Sequence, residues 1–236
     1  MADLLHPRTT VRSVLRQLRP VAGAIANAAD AVRADQAASR RRRSAALSQA
    51  HALGPASWAP LAAGPGGHRP AHGLDVCDGD ADQLAHLSAY VADGLAAGEV
   101  CVVVATRAHL TGLRQRLVLS GLEQQPGRLV EHDAEQLLAA LLHDGAPNSD
   151  RFDQLVGTPL RALADRGRPV RAYGEMVGLL HARGHADAAR ALEQLWEQLL
   201  TRVDVTLLCA YQLRGDREGA ARALSEHHTH TVAPVG

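Results

Sequence analysis

The sequence predicts an α/β protein, a mostly parallel sheet flanked by helices in a Rossmann-like three-layer arrangement, preceded by an N-terminal helical arm. Three observations carry that expectation. From His72 to Tyr211, apolar runs of strand length alternate with helix-period segments, and such alternation gives right-handed crossovers between parallel strands. Val100–Ala105 is an unbroken apolar run, as a strand covered on both faces requires. The stretch Val170-Arg-Ala-Tyr-Gly-Glu-Met-Val-Gly-Leu-Leu180 switches from β-type to helical periodicity at Gly174 and Glu175. Open α/β sheets place ligand-facing groups at such strand-to-helix turns.

Residues 1–63 read as the arm, Ala-rich, with Val11, Val14, Leu15 and Leu18 on one face and a break at Pro20. Arg40–Arg43 is a basic run suited to a solvated face or to contact with an acidic partner or phosphate. Residues 64–71, crowded with Gly and Pro, form a linker. The domain proper spans 72–215. Its expected elements are a strand at Leu74–Cys77 and a helix from a capping Asp80 to about Ala97, with Leu84, Leu87, Val91 and Leu95 on one side. The strand Val100–Ala105, a helix from Ala108 to Ser120 and a strand at Arg128–Glu131 come next. Asp133 caps a helix holding Leu137, Leu138 and Leu141, and Ser149–Arg166 is a helix kinked near Pro159. A strand at Pro169–Tyr173, helices at Glu175–Arg183 and Ala186–Thr201, and a strand at Val203–Tyr211 complete the pattern. Residues 216–236 read as a C-terminal helix and tail.

Composition narrows the function classes. All 25 basic residues are Arg, balanced by 25 acids. Residues 1–68 hold nine Arg against three Asp and the remainder 16 Arg against 22 acids, so a basic arm precedes an acidic globular part. That distribution argues against a dedicated DNA-binding domain. Cys77, Cys101 and Cys209 are widely spaced, form no CxxC pair and lie in apolar runs, as buried free thiols in a reducing cytoplasm do. The most apolar window, near Val91–Ala105, is interrupted by Asp93 and Glu99 and is too short to span a bilayer.

The chemistry-bearing candidates are few. A phosphate-cradling loop needs Gly-rich backbone and a Lys, whereas Val104-Ala-Thr-Arg-Ala-His-Leu110 has neither. There Thr106 can cap a helix and Arg107 can meet an anion at its N-terminus. Glu175 has three readings: a first-turn carboxylate pairing with Arg171, a ligand contact, or a water-polarising base. Tyr173 and Tyr211 end strands in a chain with only three Tyr, and form either a buried aromatic pair or the wall of a small-ligand site. His72 is a hydrogen-bonded structural residue or a ligand contact. His227-His-Thr-His230 has the imidazole density of a metal site, but with no preorganised support it reads as a mobile tail. Ser120, His132 and Asp133 make no triad, because a Gly-x-Ser-x-Gly turn is missing.

Taken together, His72, Gly94-Leu-Ala-Ala-Gly-Glu99, Val102-Val-Val-Ala-Thr106, Gly127-Arg-Leu-Val130, Arg171-Ala-Tyr-Gly-Glu-Met176, Leu192-Glu-Gln-Leu-Trp196 and Leu208-Cys-Ala-Tyr211 resemble the MEDS domain, the methanogen/methylotroph DcmR-type sensory domain. The resemblance covers roughly residues 70–230. It implies a RecA/KaiC-like strand order without an intact phosphate loop, and a role in sensing.

The expectation is therefore a cytoplasmic, non-catalytic sensory or regulatory protein in signal transduction or transcriptional control. Its ligand or partner would enter a cleft at the C-terminal edge of the sheet lined by Thr106, Arg107, Glu131, Tyr173, Glu175 and Tyr211, with His72 and Arg171 as further ligand-binding candidates. No cofactor and no metal are expected. A protein partner in a signalling pathway is, with a small-molecule ligand or self-association as further modes and no membrane insertion. The rivals are a degenerate nucleotide-binding, ATPase-like enzyme and a ligand-free scaffold for an anti-sigma factor or kinase.

Overall fold

Strands buried on both faces build the domain. The computed structural model describes residues 71–212, Leu224 and 228–232. The expected arm at 1–63, all of the linker but Ala71, and most of the expected C-terminal helix and tail lie outside those residues.

Strand β1 (Ala71–Cys77) is followed by α1 (Asp80–Ala97), β2 (Val100–Ala105), α2 (Arg107–Leu119), β3 (Leu129–Asp133) and α3 (Ala134–Leu141). A two-residue hairpin, β4 (Leu142–His143) with β5 (Ala146–Pro147), leads into α4 (Ser149–Phe152), a π-helical stretch at Asp153–Gly157 and α5 (Thr158–Ala164). Then come β6 (Val170–Gly174), α6 (Met176–Ala182), α7 (Ala186–Leu200), β7 (Val205–Gln212) and β8 (His230–Val232). The main sheet has the order β3-β2-β6-β7-β1-β8, and every pairing in it is parallel.

Period-two alternation divides the strands between two cores. Val102, Val104, Val170, Ala172, Leu207, Cys209 and Tyr211 face the layer of α3, α5, α6 and α7, whose Leu138, Leu160, Leu180, Leu192 and Trp196 cover them. Cys101, Val103, Ala105, Tyr173, Leu208 and Ala210 face α1 and α2 and meet Leu87, Tyr90, Leu95 and Leu113. This is the expected three-layer α/β arrangement. The three cysteines are buried free thiols, as their apolar context implies. Among the described residues no helix is long and apolar enough to cross a membrane.

Local differences from the sequence reading have physical causes. The first strand starts at Ala71 rather than Leu74, because its polar His72 and Asp75 are buried with the rest of it. The cap of α1 is Gly79, with φ 87°, so Asp80 is the first helical residue and keeps its carboxylate for other contacts. Thr106 and Asp133 cap α2 and α3 as expected. The 149–166 segment is interrupted before Pro159: lacking an N–H, Pro159 leaves the preceding turn short of a hydrogen bond, and a π-helical stretch at Asp153–Gly157 takes up the register change. The expectation of a mobile His-rich tail needs correction over 228–232. There the chain adds an edge strand to β1, with Gly73 opposite His230 and Asp75 opposite Val232.

Candidate functional site

Along the sheet, the connections leaving β2 and β6 run in opposite directions, β2 outward to β3 through α2 and β6 inward to β7 through α6 and α7. A crevice opens between adjacent strands that diverge in this way, outside their C-terminal ends. A cavity of about 310 Å³ lies there, lined by Asp80, Gln83, Thr106, Ala108, His109, Glu175, Gly178, Leu179, Ala182, Ala210 and Gln212.

At its base sits a buried acid–imidazole pair. Glu175 follows β6, and its backbone N–H donates to Val104 O at 2.9 Å. Its Oε2 accepts from the Thr106 N–H at 2.8 Å, and its Oε1 lies 2.7 Å from His109 Nδ1. The Thr106 hydroxyl accepts from the His109 N–H at 3.4 Å, so cap and imidazole are set one helical turn apart on the same side. Both Glu175 and His109 are buried. The Glu175 hydrogen bond raises the His109 pKa, against burial, which works to lower it. His109 Nε2 points towards Asp80, 3.9 Å from Oδ1. Asp80 also accepts from the Gln212 amide at 2.6 Å, and that amide reaches Gln83 Oε1 at 2.8 Å. The opposite wall is apolar, formed by Leu179, Ala182 and Ala210. At Gly178, α6 packs so closely on β7 that a Cβ would come within 2.2 Å of the Ala210 carbonyl oxygen.

Of the expected site residues, Thr106 and Glu175 line this cavity and the others do not. Tyr173 is buried, facing α1 and α2, with its ring 6.4 Å from that of Tyr90. Arg107 is turned away to Asp133 at 3.3 Å, and Glu131 pairs with Arg114 at 3.0 Å. Arg171 does not meet Glu175. It forms a buried bidentate pair with Glu99, donates to the Tyr90 carbonyl at 2.8 Å and holds its guanidinium 4.6 Å from the Tyr90 ring centre. Tyr173 and Tyr211 do not pair either. Tyr173 stands opposite Leu208, so Tyr211 lies three residues further along and on the other face. His72 and Tyr211 belong to a second cluster, where His72 Nε2 lies 3.3 Å from both Cys209 Sγ and Glu193 Oε2, and Tyr211 donates to Glu193 Oε1. His228 completes it, with Nε2 3.4 Å from Glu193 Oε1. A third group, Asp75, Cys77 and His86, lies between β1 and α1, held by the 2.7 Å contact of His86 Nδ1 with Asp75 Oδ1.

The residues that the sequence reading missed, His109, Asp80, Gln83 and Gln212, share one signal. Each is a polar residue within a few positions of the C-terminal end of a strand, and parallel strands bring those ends together.

A model of the MEDS family, the methanogen/methylotroph, DcmR sensory domain, matches residues 71–229. No curated protein matches the chain.

Proposed function

The chain belongs to the MEDS family of sensory domains, and from that premise we propose that it is a non-catalytic regulatory protein whose signal is a small molecule held in the cavity at the C-terminal edge of the sheet. The observation that carries this reading is the Glu175–His109 pair beneath that cavity. A buried carboxylate that fixes one imidazole nitrogen sets the direction of the other, which faces Asp80 across the cavity lining at 3.9 Å. The lining combines these polar groups with an apolar wall, the usual make-up of a small-ligand site. Among the described residues its lining contains no Arg, and Arg107 is already paired with Asp133, so these residues offer a polyphosphate no guanidinium. The preferred ligand is therefore small and free of phosphate. Because the cavity touches the first turns of α1, α2 and α6, a ligand that favours one placement of these helices shifts the population towards it, and a protein partner reads that shift.

The rival reading, an ATPase-like enzyme, draws on the same pair, since a His–Glu dyad can act as a base. One experiment separates the two. In a thermal-shift screen of the full chain against ATP, GTP, cyclic nucleotides and small one-carbon compounds, a phosphate-free compound raises the melting temperature. At a hundredfold excess over Kd the stabilisation is about 2.7 kcal/mol. It is lost in Ala108→Trp, which blocks the exposed mouth of the cavity. Stabilisation by nucleotides alone, with phosphate release that disappears in Glu175→Gln, would transfer the assignment to the enzyme.

A further inference from the structure

We propose that His72, Glu193, Cys209 and His228 form a four-ligand site for a divalent transition metal, with zinc the best chemical match. The site is separate from the cavity and lies on the face of the sheet covered by α7.

The four residues bring one donor atom each to a single buried cluster. Bonds of about 2.0–2.3 Å to nitrogen, oxygen and sulfur place neighbouring donors roughly 3.3–3.7 Å apart. His72 Nε2 lies 3.3 Å from Cys209 Sγ and 3.3 Å from Glu193 Oε2, the carboxylate oxygen that Tyr211 leaves available. One donor atom from each of the four residues falls within 4.8 Å of every other. The donors are also short of partners. Glu193 Oε2 and His228 Nε2 are buried and neither makes a hydrogen bond of good geometry. The side chains of Glu193 and His228 are 2% and 0% exposed, so water does not compensate.

Surrounding groups orient two of the donors, Glu193 and His228, as a metal site requires. His228 Nδ1 is 2.7 Å from the Leu224 carbonyl and must carry the proton there, which leaves the Nε2 lone pair facing Glu193. Tyr211 donates to Glu193 Oε1 and leaves Oε2 available. The rings of His72 and His228 lie 4.2 Å apart, and the backbone on either side is pinned by the Thr229 N–H donating to His72 O at 2.7 Å. Charge decides in favour of a dication. A thiolate, a carboxylate and two neutral imidazoles around it sum to zero, the form of a charged cluster that costs least to bury. Cys209 would bind as the thiolate, its proton passing to solvent as the metal enters. A sulfur ligand with nitrogen and oxygen in a tetrahedral setting selects zinc over magnesium or calcium. The consequence is structural: β1, α7, β7 and the chain at His228 become joined through one ion, so metal occupancy fixes the edge strand β8 on β1.

Cobalt(II) is the test probe, added to the full chain after chelation and dialysis. A tetrahedral cobalt spectrum with a thiolate charge-transfer band, displaced by one equivalent of zinc, is expected. His228→Gln should weaken zinc binding by more than the roughly 10–100-fold expected of Tyr211→Phe, which only removes the support to Glu193. His227→Gln with His230→Gln should leave binding unchanged. Absence of the thiolate band from the unsubstituted protein overturns the site, whether or not any variant folds. Binding lost only in the His227/His230 pair also overturns it, since the metal would then be held adventitiously by the tail.

Discussion

Arg171 tests the line between fold and function, because the sequence reading places it among the ligand contacts and the structure places it in a buried ion pair. The pair is built by two distant parts of the chain, residues 90–99 and Arg171 on β6. Glu99 follows the αL turn at Gly98 that ends α1, and Gly94 gives the guanidinium room, since a Cβ there would lie 2.6 Å from Arg171 Cδ. Arg171 and Glu99 are each 4% exposed. Arg171→Met keeps most of the side-chain volume but leaves the Glu99 carboxylate buried and alone, which costs about 3–5 kcal/mol. At roughly 2–4 °C per kcal/mol for a domain of this size, the melting temperature should fall by about 6–20 °C. Adding Glu99→Leu removes the stranded charge and should recover most of that loss. Recovery stays incomplete, because the Tyr90 carbonyl has also lost its donor, at a cost of about 1–3 kcal/mol. Urea unfolding of wild type, both single variants and the double variant gives the coupling energy, expected above about 2 kcal/mol. Single variants that each cost under about 1 kcal/mol and simply add would refute this reasoning. A loss of ligand response in Arg171→Met that exceeds the effect of its lower stability would return Arg171 to the functional residues.

Other expectations follow from the same geometry. Gly178→Ala drives a methyl group into the Ala210 carbonyl and should cost about 1–3 kcal/mol or more, with the cavity narrowed; urea titration and ligand affinity measure both. Val103→Asp puts a charge on a central strand at a position with no exposure, and circular dichroism should show an unfolded domain. His109 has a folded-state pKa raised by Glu175, so its contribution to stability is complete below about pH 6.5 and disappears as pH rises through the raised value. His86, raised by its hydrogen bond to Asp75, adds a term of the same sign. His109→Gln should therefore reduce, without abolishing, the decline in stability between roughly pH 5 and 8; unfolding curves across that range would show an unchanged slope if the imidazole were not so coupled.

Much of the fold was readable because apolar period decides it. Val100–Ala105, Ala186–Thr201 and the turn at Gly174–Glu175 stand within a residue or two of their predicted places. The hairpin at 142–147 was not, since two-residue strands carry no periodicity, and neither was β8, which rests on pairing with β1 across the length of the domain. At the site, Thr106 and Glu175 were legible as strand-end residues. Arg171, Tyr173 and Tyr211 shared their motif strength but not their position: side-chain parity and strand register decide which end and which face they occupy, and register is a long-range property. His72 and His228 could be joined only once β1, β7 and the final segment were neighbours.

The central claim is that the sensory ligand sits between the ends of β2 and β6, over Glu175 and His109. Amide chemical-shift mapping of the full chain with a compound that stabilises it tests this most directly. The account predicts the largest changes at Thr106, His109, Glu175 and Gly178, and their loss in Ala108→Trp. Changes centred on Arg171, or on His72, Glu193 and Cys209, with Thr106 and Glu175 unmoved, would contradict it.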